Sequence, residues 1–164
     1  MPRIGAVVAA LAALLVTGAS AQKPAGTSGS ATAVHVMLTP DEARYSPGPP
    51  SLPAGVEIAV LDGDMNASGP FTARARFPDG CRIPPHWHPA DENLTVIEGT
   101  FLMGMGEQFA ESSLKPLTAG SFAKMPKGTR HFAVARGETT VQIHADGPWG
   151  INYVNAADDP RNKK

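Results

Sequence analysis

The chain has 164 residues, 42% of them hydrophobic and 18% charged, so it is long enough for one domain with a packed core. Its 17 glycines and 16 prolines disfavour long uninterrupted helices and predict a turn-rich β protein. The formal net charge of -1 argues against nucleic-acid binding, and the single cysteine excludes an intrachain disulfide framework and a Cys-based zinc site.

The first 21 residues follow the pattern of a secretory signal peptide. A basic residue precedes an apolar run over residues 4–16, and small residues at 19–21 form a cleavage site. The run is shorter than the roughly 20 apolar residues of a membrane-spanning helix. We therefore expect export by the general route with cleavage near Ala21-Gln22, a periplasmic or secreted protein and no stable membrane association. Retention as an uncleaved anchor is the alternative.

The remainder divides into a leader, a folded domain and a tail. Residues 22–33 are small and polar and predict a flexible leader, because they cannot bury enough apolar surface to offset the entropy of ordering. The domain is expected over residues 34–155, and residues 156–164 form a polar tail. A single helical turn is predicted from Pro40 to Tyr45, with Thr39 as its cap.

Within the domain, apolar residues recur at period two or in short β-branched runs, broken by turn residues every 8 to 12 residues or so. The clearest alternation puts Phe71, Ala73, Ala75 and Phe77 on one face. About eight short strands of this kind are typical of a double-sheet jelly roll. The candidate strands are Glu57 to Leu61, Phe71 to Phe77, Asn93 to Glu98, Thr100 to Met105, Ser121 to Met125, Arg130 to Ala135, Thr139 to Ala145 and Gly150 to Val154, and Glu107 to Leu114 is a candidate short helix.

Two ordered patterns carry the candidate chemistry. His86 and His88 lie two residues apart on extended chain, so their side chains point to the same side, and a short turn can bring the carboxylate of Glu92 there. Two imidazoles and a carboxylate are expected ligands of a divalent metal with open positions. The second pattern would supply His131 from a neighbouring strand. The patterns are G-x5-H-x-H-x3-E-x6-G from Gly80 to Gly99 and G-x5-P-x-G-x2-H from Gly120 to His131.

These patterns resemble the two motifs of the cupin superfamily, with every fixed glycine, histidine, glutamate and proline present. The resemblance implies an all-β, double-stranded β-helix (jelly-roll) barrel with one or two short helices. It also implies a divalent ion (iron, manganese, nickel, copper or zinc) at the centre of the barrel. The second motif commonly ends in asparagine, and Ala135 stands in that place, which affects the local packing or the pocket lining and not the ligands. The ligands that the resemblance implies are His86, His88, Glu92 and His131.

Strand parity predicts an apolar wall around these residues. On a later strand, Gln142 and His144 alternate with Val141 and Ile143, so one of the two pairs faces inward. If the polar pair does, Gln142 and His144 become catalytic candidates, with His144 as an acid or base. The expected lining residues are Leu94, Val96, Ala133 and Ala135, with Met103 and Met105 as further candidates or core fillers. We expect Cys81 to be a loop thiol, Trp87 to face outward or into an interface, and His35 to lie on the surface.

Two functions remain open. Open positions on the ion suit a metalloenzyme, namely a dioxygenase-like oxidoreductase acting on a small organic substrate. The alternative is a non-catalytic module that binds or senses a metal or small molecule through the same site. The expected partner is a small-molecule ligand and not a nucleic acid. The resemblance and the need to cover sheet edges favour a homodimer.

Overall fold

The computed structural model describes residues 35–163. The predicted signal peptide and leader lie outside the described residues, as does the end of the predicted tail. The strands are β1 (Ser46–Pro47), β2 (Glu57–Asp62), β3 (Gly69–Phe77), β4 (Arg82–Trp87), β5 (Glu92–Met105), β6 (Lys115–Thr118), β7 (Phe122–Met125), β8 (His131–Gly147) and β9 (Asn152–Tyr153). Short 3-10 helices span Pro40–Glu42, Glu111–Ser113, Ala156–Asp158 and Pro160–Asn162.

The strands form one antiparallel sheet that curls around the core, which confirms the predicted all-β jelly roll. Neighbours along its main path run in the order β1-β2-β3-β8-β4-β9, and β5 pairs with β6, β7 and β8. The long strand β8 holds the sheet together. Its first half pairs with β4 and its second half with β3, while β5 follows it on the other side.

The long strands β5 and β8 each join two of the predicted strands. Between them the register shifts around Glu98, next to Gly99. Gly99 has φ +77°, and a side chain there would collide with the carbonyl oxygen of Glu138 and with Thr139. Glycine at this position therefore lets the two strands stay paired through the bend.

The core lies on the inner face of the sheet. The predicted alternation of Phe71, Ala73, Ala75 and Phe77 is confirmed, since all four side chains are buried. Phe77 packs against Phe101 with their ring centroids 5.2 Å apart. The phenylalanines of β3 and β5 thus fill the interior of the barrel behind the predicted ligands.

Several elements differ from the sequence prediction. The prediction did not identify β1, β4 or β6, and β9 is shorter than the strand expected from Gly150 to Val154. The candidate helix from Glu107 to Leu114 is reduced to one 3-10 turn, Glu111–Ser113. The turn capped by Thr39 is present as Pro40–Glu42, with the Glu42 carboxylate accepting the backbone N–H of Thr39 at 2.7 Å.

The predicted polar tail has regular local structure where it is described. Asp159 caps the last 3-10 turn, and Arg161 donates to both of its carboxylate oxygens, with the closest contact 2.6 Å. Arg161 also donates to the carbonyl oxygen of Ile151 at 3.4 Å, which ties the tail to the barrel. Within residues 35–163, no helix is long and apolar enough to cross a membrane.

Candidate metal centre

The structure brings the four predicted ligands together at one end of the core. His86 lies near the end of β4 and His88 just beyond it, while Glu92 and His131 begin β5 and β8. His86 and His131 are paired neighbours across the two strands. All four residues are buried, each 4% exposed or less. The three histidines offer ring nitrogens that all lie within 4.8 Å of one another.

Backbone carbonyls orient the three imidazoles. The Nδ1 atom of His86 lies 2.7 Å from the carbonyl oxygen of Pro84, that of His88 lies 2.8 Å from Gly150, and that of His131 lies 3.0 Å from Thr129. A carbonyl oxygen only accepts hydrogen bonds, so each Nδ1 carries the proton. The Nε2 atoms of the neutral rings are then left with free lone pairs. Such a partner behind the ring is typical of metal-binding histidines.

Glu92 completes the donor set. Its Oε2 atom lies 3.4 Å from Nε2 of His88 and 3.9 Å from Nε2 of His131. When Glu92 is ionised, its carboxylate oxygen and the two unprotonated ring nitrogens are all acceptors, so they have no hydrogen atom to share. A cation bound between them would satisfy all of these lone pairs, and the donor set therefore fits a divalent metal ion.

Burial sets the protonation of these groups. Desolvation lowers the pKa of His86 well below its usual value, and the neighbouring His131 and His88 lower it further. Burial also lowers the pKa of His88 to about 4 and lowers that of His131. All three imidazoles are consequently neutral at pH 7, which is the form that binds metal. Desolvation raises the pKa of Glu92 to about 7.

The site opens into a cavity with an apolar wall. The volume of this cavity, counted as the space open to the centre of a water molecule, is about 30 Å³. A single water molecule needs roughly 10 to 15 Å³ on the same measure. Of the predicted lining residues, Leu94, Ala133 and Met103 do line the cavity. The other lining side chains are Leu52, Ile58, Ala75, Phe77, Ile83, Phe101, Val141, Ile143, Trp149 and Ile151, together with the four candidate ligands.

The remaining lining predictions need correction. Val96 and Ala135 are buried in the core but do not line the cavity. Met105 is 58% exposed, because its side chain leaves the barrel near the end of β5. Ala135, which replaces the usual asparagine, therefore affects core packing and not the cavity surface.

The catalytic candidates Gln142 and His144 do not reach the site. Val141 and Ile143 face inward and are buried, so strand alternation turns the polar pair outward. There, Nδ1 of His144 lies 3.0 Å from the Thr72 hydroxyl and its Nε2 lies 3.0 Å from the Gln142 amide. Burial of the apolar pair is the favourable arrangement, so the condition under which Gln142 and His144 would be catalytic candidates is not met.

Three other residues singled out in the sequence are not among the residues that line the cavity. Cys81 is half-buried next to β4, and burial raises the pKa of its thiol to about 11, so the thiol stays protonated. Trp87 is partly exposed on the strand, between the two inward histidines. His35 is exposed, as expected.

Trp149 was not among the predicted site residues. Its indole ring stacks on the imidazole of His88, with the ring centroids 4.9 Å apart and an interplanar angle of 20°. The next residue, Gly150, supplies the carbonyl oxygen that His88 contacts. Two consecutive residues, Trp149 and Gly150, thus contact the imidazole of His88 and orient it. The Gly and Pro residues around Trp149 indicated only a turn, so no local signal pointed to this role.

The comparisons with known proteins agree with the fold. The germin-like protein 1-1 of Oryza sativa subsp. japonica is 30% identical over 105 residues, which are 61% of this chain and 49% of the relative. The chain therefore spans about half the length of that relative. A solved structure of an oxalate oxidase is 26% identical with a TM-score of 0.50, covering 78% of this chain and 75% of the other.

A solved structure of an RmlC-like cupin from Shewanella frigidimarina has a TM-score of 0.53 at 18% identity, covering 70% of this chain and 91% of that one. The curled antiparallel sheet, the two sequence motifs, the matching family model and these relatives together place the chain in the cupin superfamily. Within it, the chain belongs to the family described as "Domain of unknown function (DUF4437)", which matches residues 56–163.

Proposed function

We propose that the protein is a metal-dependent oxidoreductase of the dioxygenase type that acts on a small organic molecule. The observation that supports this proposal most directly is the buried cluster of three histidines beside Glu92 in an otherwise apolar cavity. Three imidazoles and one carboxylate around a six-coordinate ion would leave about two positions for substrate and O2. A bound ion of this kind supplies redox and Lewis-acid chemistry at those positions.

The chain's own residues would prepare the site for that chemistry. The carbonyl oxygens behind His86, His88 and His131 would hold the three rings with their Nε2 lone pairs free and with ring nitrogens within 4.8 Å of one another. The apolar wall keeps bulk water from the site and packs against the carbon skeleton of the substrate. In a dioxygenase reaction both oxygen atoms of O2 enter the substrate, whose own electrons reduce them. No external reductant is needed, and no site for one is proposed.

Oxygen uptake tests the proposal. The protein is loaded separately with Fe(II), Mn(II), Ni(II), Cu(II) or Zn(II), and O2 consumption is measured against a panel of small organic compounds. We expect uptake with a redox-active ion and none with zinc, which has no redox chemistry. The His86→Ala variant should be inactive, while His144→Ala, which changes a histidine on the outer face, is the matched control. Ligand binding without uptake for every ion would instead favour the non-catalytic binding or sensing module.

We also propose that the protein is exported and acts as a homodimer. The export proposal is supported by the signal-like residues 1–21. The export proposal is tested by fractionating cells that express the full chain and determining the N-terminus of the product by mass spectrometry. An uncleaved cytoplasmic product would contradict export. Light scattering on the purified protein gives the oligomeric state, for which a monomer mass would contradict the proposal.

A further inference from the structure

The cavity wall carries one formal charge. Its polar side chains are the four candidate ligands, and among the described residues the rest of the lining is aliphatic or aromatic. The three histidines are neutral in the metal-binding form, and a ligating carboxylate is ionised. Glu92 is consequently the one charged residue of the wall.

Nearby cations do not compensate charge in the cavity, because they lie on the outer face of the sheet. Arg74 donates from Nε to the side-chain oxygen of Gln142 at 3.0 Å on that face. Arg76 pairs with Glu57 at 3.5 Å, and its guanidinium lies over the ring of Tyr45. These arginines belong to β3, whose inward positions are apolar. The wall therefore has no cation with which to balance a second negative charge.

The charges at the site can be added up. A divalent ion contributes +2 and the Glu92 carboxylate -1, which leaves +1 beside apolar walls. A ligand with one negative charge brings the buried total to zero. A ligand with two leaves an unbalanced negative charge, and burying an uncompensated charge is strongly unfavourable. The cavity, in which about 30 Å³ is open to the centre of a water molecule, also favours a small ligand.

We infer that the site takes a small monoanionic oxygen-donor ligand and discriminates against a dianion of the same size. This inference rests on the proposed function in one respect, since it requires the divalent ion to be bound. It adds the charge class of the substrate, which follows from the single carboxylate and from the absence of any cation or hydroxyl among the described lining residues.

Oxamate and oxalate test the inference, because they have nearly the same shape and differ by one negative charge. Each is titrated calorimetrically into the Mn(II)-loaded protein and into Mn(II) free in the same buffer. Whatever preference the free ion shows for oxalate over oxamate should fall at least tenfold in the protein. An unchanged or larger preference for oxalate would overturn the inference.

The Glu92→Gln variant is a second, independent arm. It raises the charge of the site by one unit with little change in shape, so the relative affinity for oxalate should increase at least tenfold over wild type. The matched control His144→Ala should keep the wild-type ratio. If the Glu92→Gln protein holds manganese and its ratio of oxalate to oxamate affinity is unchanged, the charge argument is contradicted. If this variant loses manganese, the comparison of wild-type protein with the free ion decides alone. Failure of the wild-type protein to bind manganese or any of the other divalent ions would refute the proposed metal site, whereas bound manganese with the free ion's preference for oxalate unchanged would refute only the ligand class.

Discussion

Replacing Trp149 by alanine should weaken metal binding without touching a ligand. The indole stacks on His88 at 4.9 Å and meets the ring of Phe71 edge-on at 6.5 Å, so alanine removes the surface that fixes the imidazole plane. Loss of such an outer-shell partner typically reduces metal affinity by about 10- to 100-fold, which is about 1.4 to 2.8 kcal/mol. Unfolding free energy should fall by about 3 kcal/mol, the low end for a large aromatic, because Trp149 is only partly buried.

The Trp149→Phe variant separates stacking from hydrogen bonding. The indole Nε1 of Trp149 is buried and has no hydrogen-bond partner within the described chain, so phenylalanine loses no bond and keeps an aromatic face against His88. We expect its Mn(II) affinity to stay within about threefold of wild type, well inside one tenfold step of 1.4 kcal/mol. A competition titration against a fluorescent chelator measures all three proteins, with circular dichroism as the folding control. Folded Trp149→Ala with wild-type affinity would refute the positioning role, and equal losses in both variants would contradict the stacking argument.

Three further predictions follow from the site and the fold. His131→Ala should lose metal occupancy by elemental analysis while keeping the far-ultraviolet circular dichroism of the wild type, because core burial holds the strands; full occupancy would show that His131 is not a ligand. Gly99→Ala should cost on the order of 2 kcal/mol in urea unfolding, since φ is +77° and the new side chain meets the Glu138 carbonyl; wild-type stability would contradict this packing. The hydrogen bonds from Arg161 lower the pKa of Asp159. The ionised Asp159 therefore stabilises the folded state at neutral pH, and this stabilisation is lost as the pH falls below the usual aspartate range. Asp159→Asn should therefore show a smaller drop in urea midpoint between pH 7 and pH 3 than wild type, and an equal drop would refute it.

The candidate ligands could be predicted because their geometry is local. His86 and His88 share a side by strand parity, and Glu92 follows within one turn. The cross-strand pairing of His86 with His131 is a tertiary fact, yet two motifs in a known order were enough to anticipate it. The buried face of β3 could also be predicted from the sequence, since the alternation of its apolar residues is uninterrupted.

The errors have physical causes. Extended chain was predicted at His86, but the segment was not among the candidate strands; β4 contains Pro84 and Pro85, and prolines are unfavourable inside a sheet. The structure accommodates both prolines in a register shift between Ile83 and His86. Parity alone could not decide which face of β8 points inward, whereas burial decides it in favour of Val141 and Ile143.

The role of Trp149 depends on distant contacts. His88 and the Gly150 carbonyl are 62 residues apart in the chain, and neither periodicity nor motif spacing relates them. Contacts of this kind are set by the three-dimensional path of the segment between β8 and β9 and are not encoded in a local pattern.

The metal content of the protein, purified without a metal-affinity step, tests the central claim most directly. Elemental mass spectrometry should find about one redox-active divalent ion per chain in the wild type and in His144→Ala, and a strongly reduced amount in His86→Ala and His131→Ala. Wild-type protein that neither contains nor takes up a stoichiometric divalent ion, or ligand variants that retain it fully, would contradict the metal centre described above.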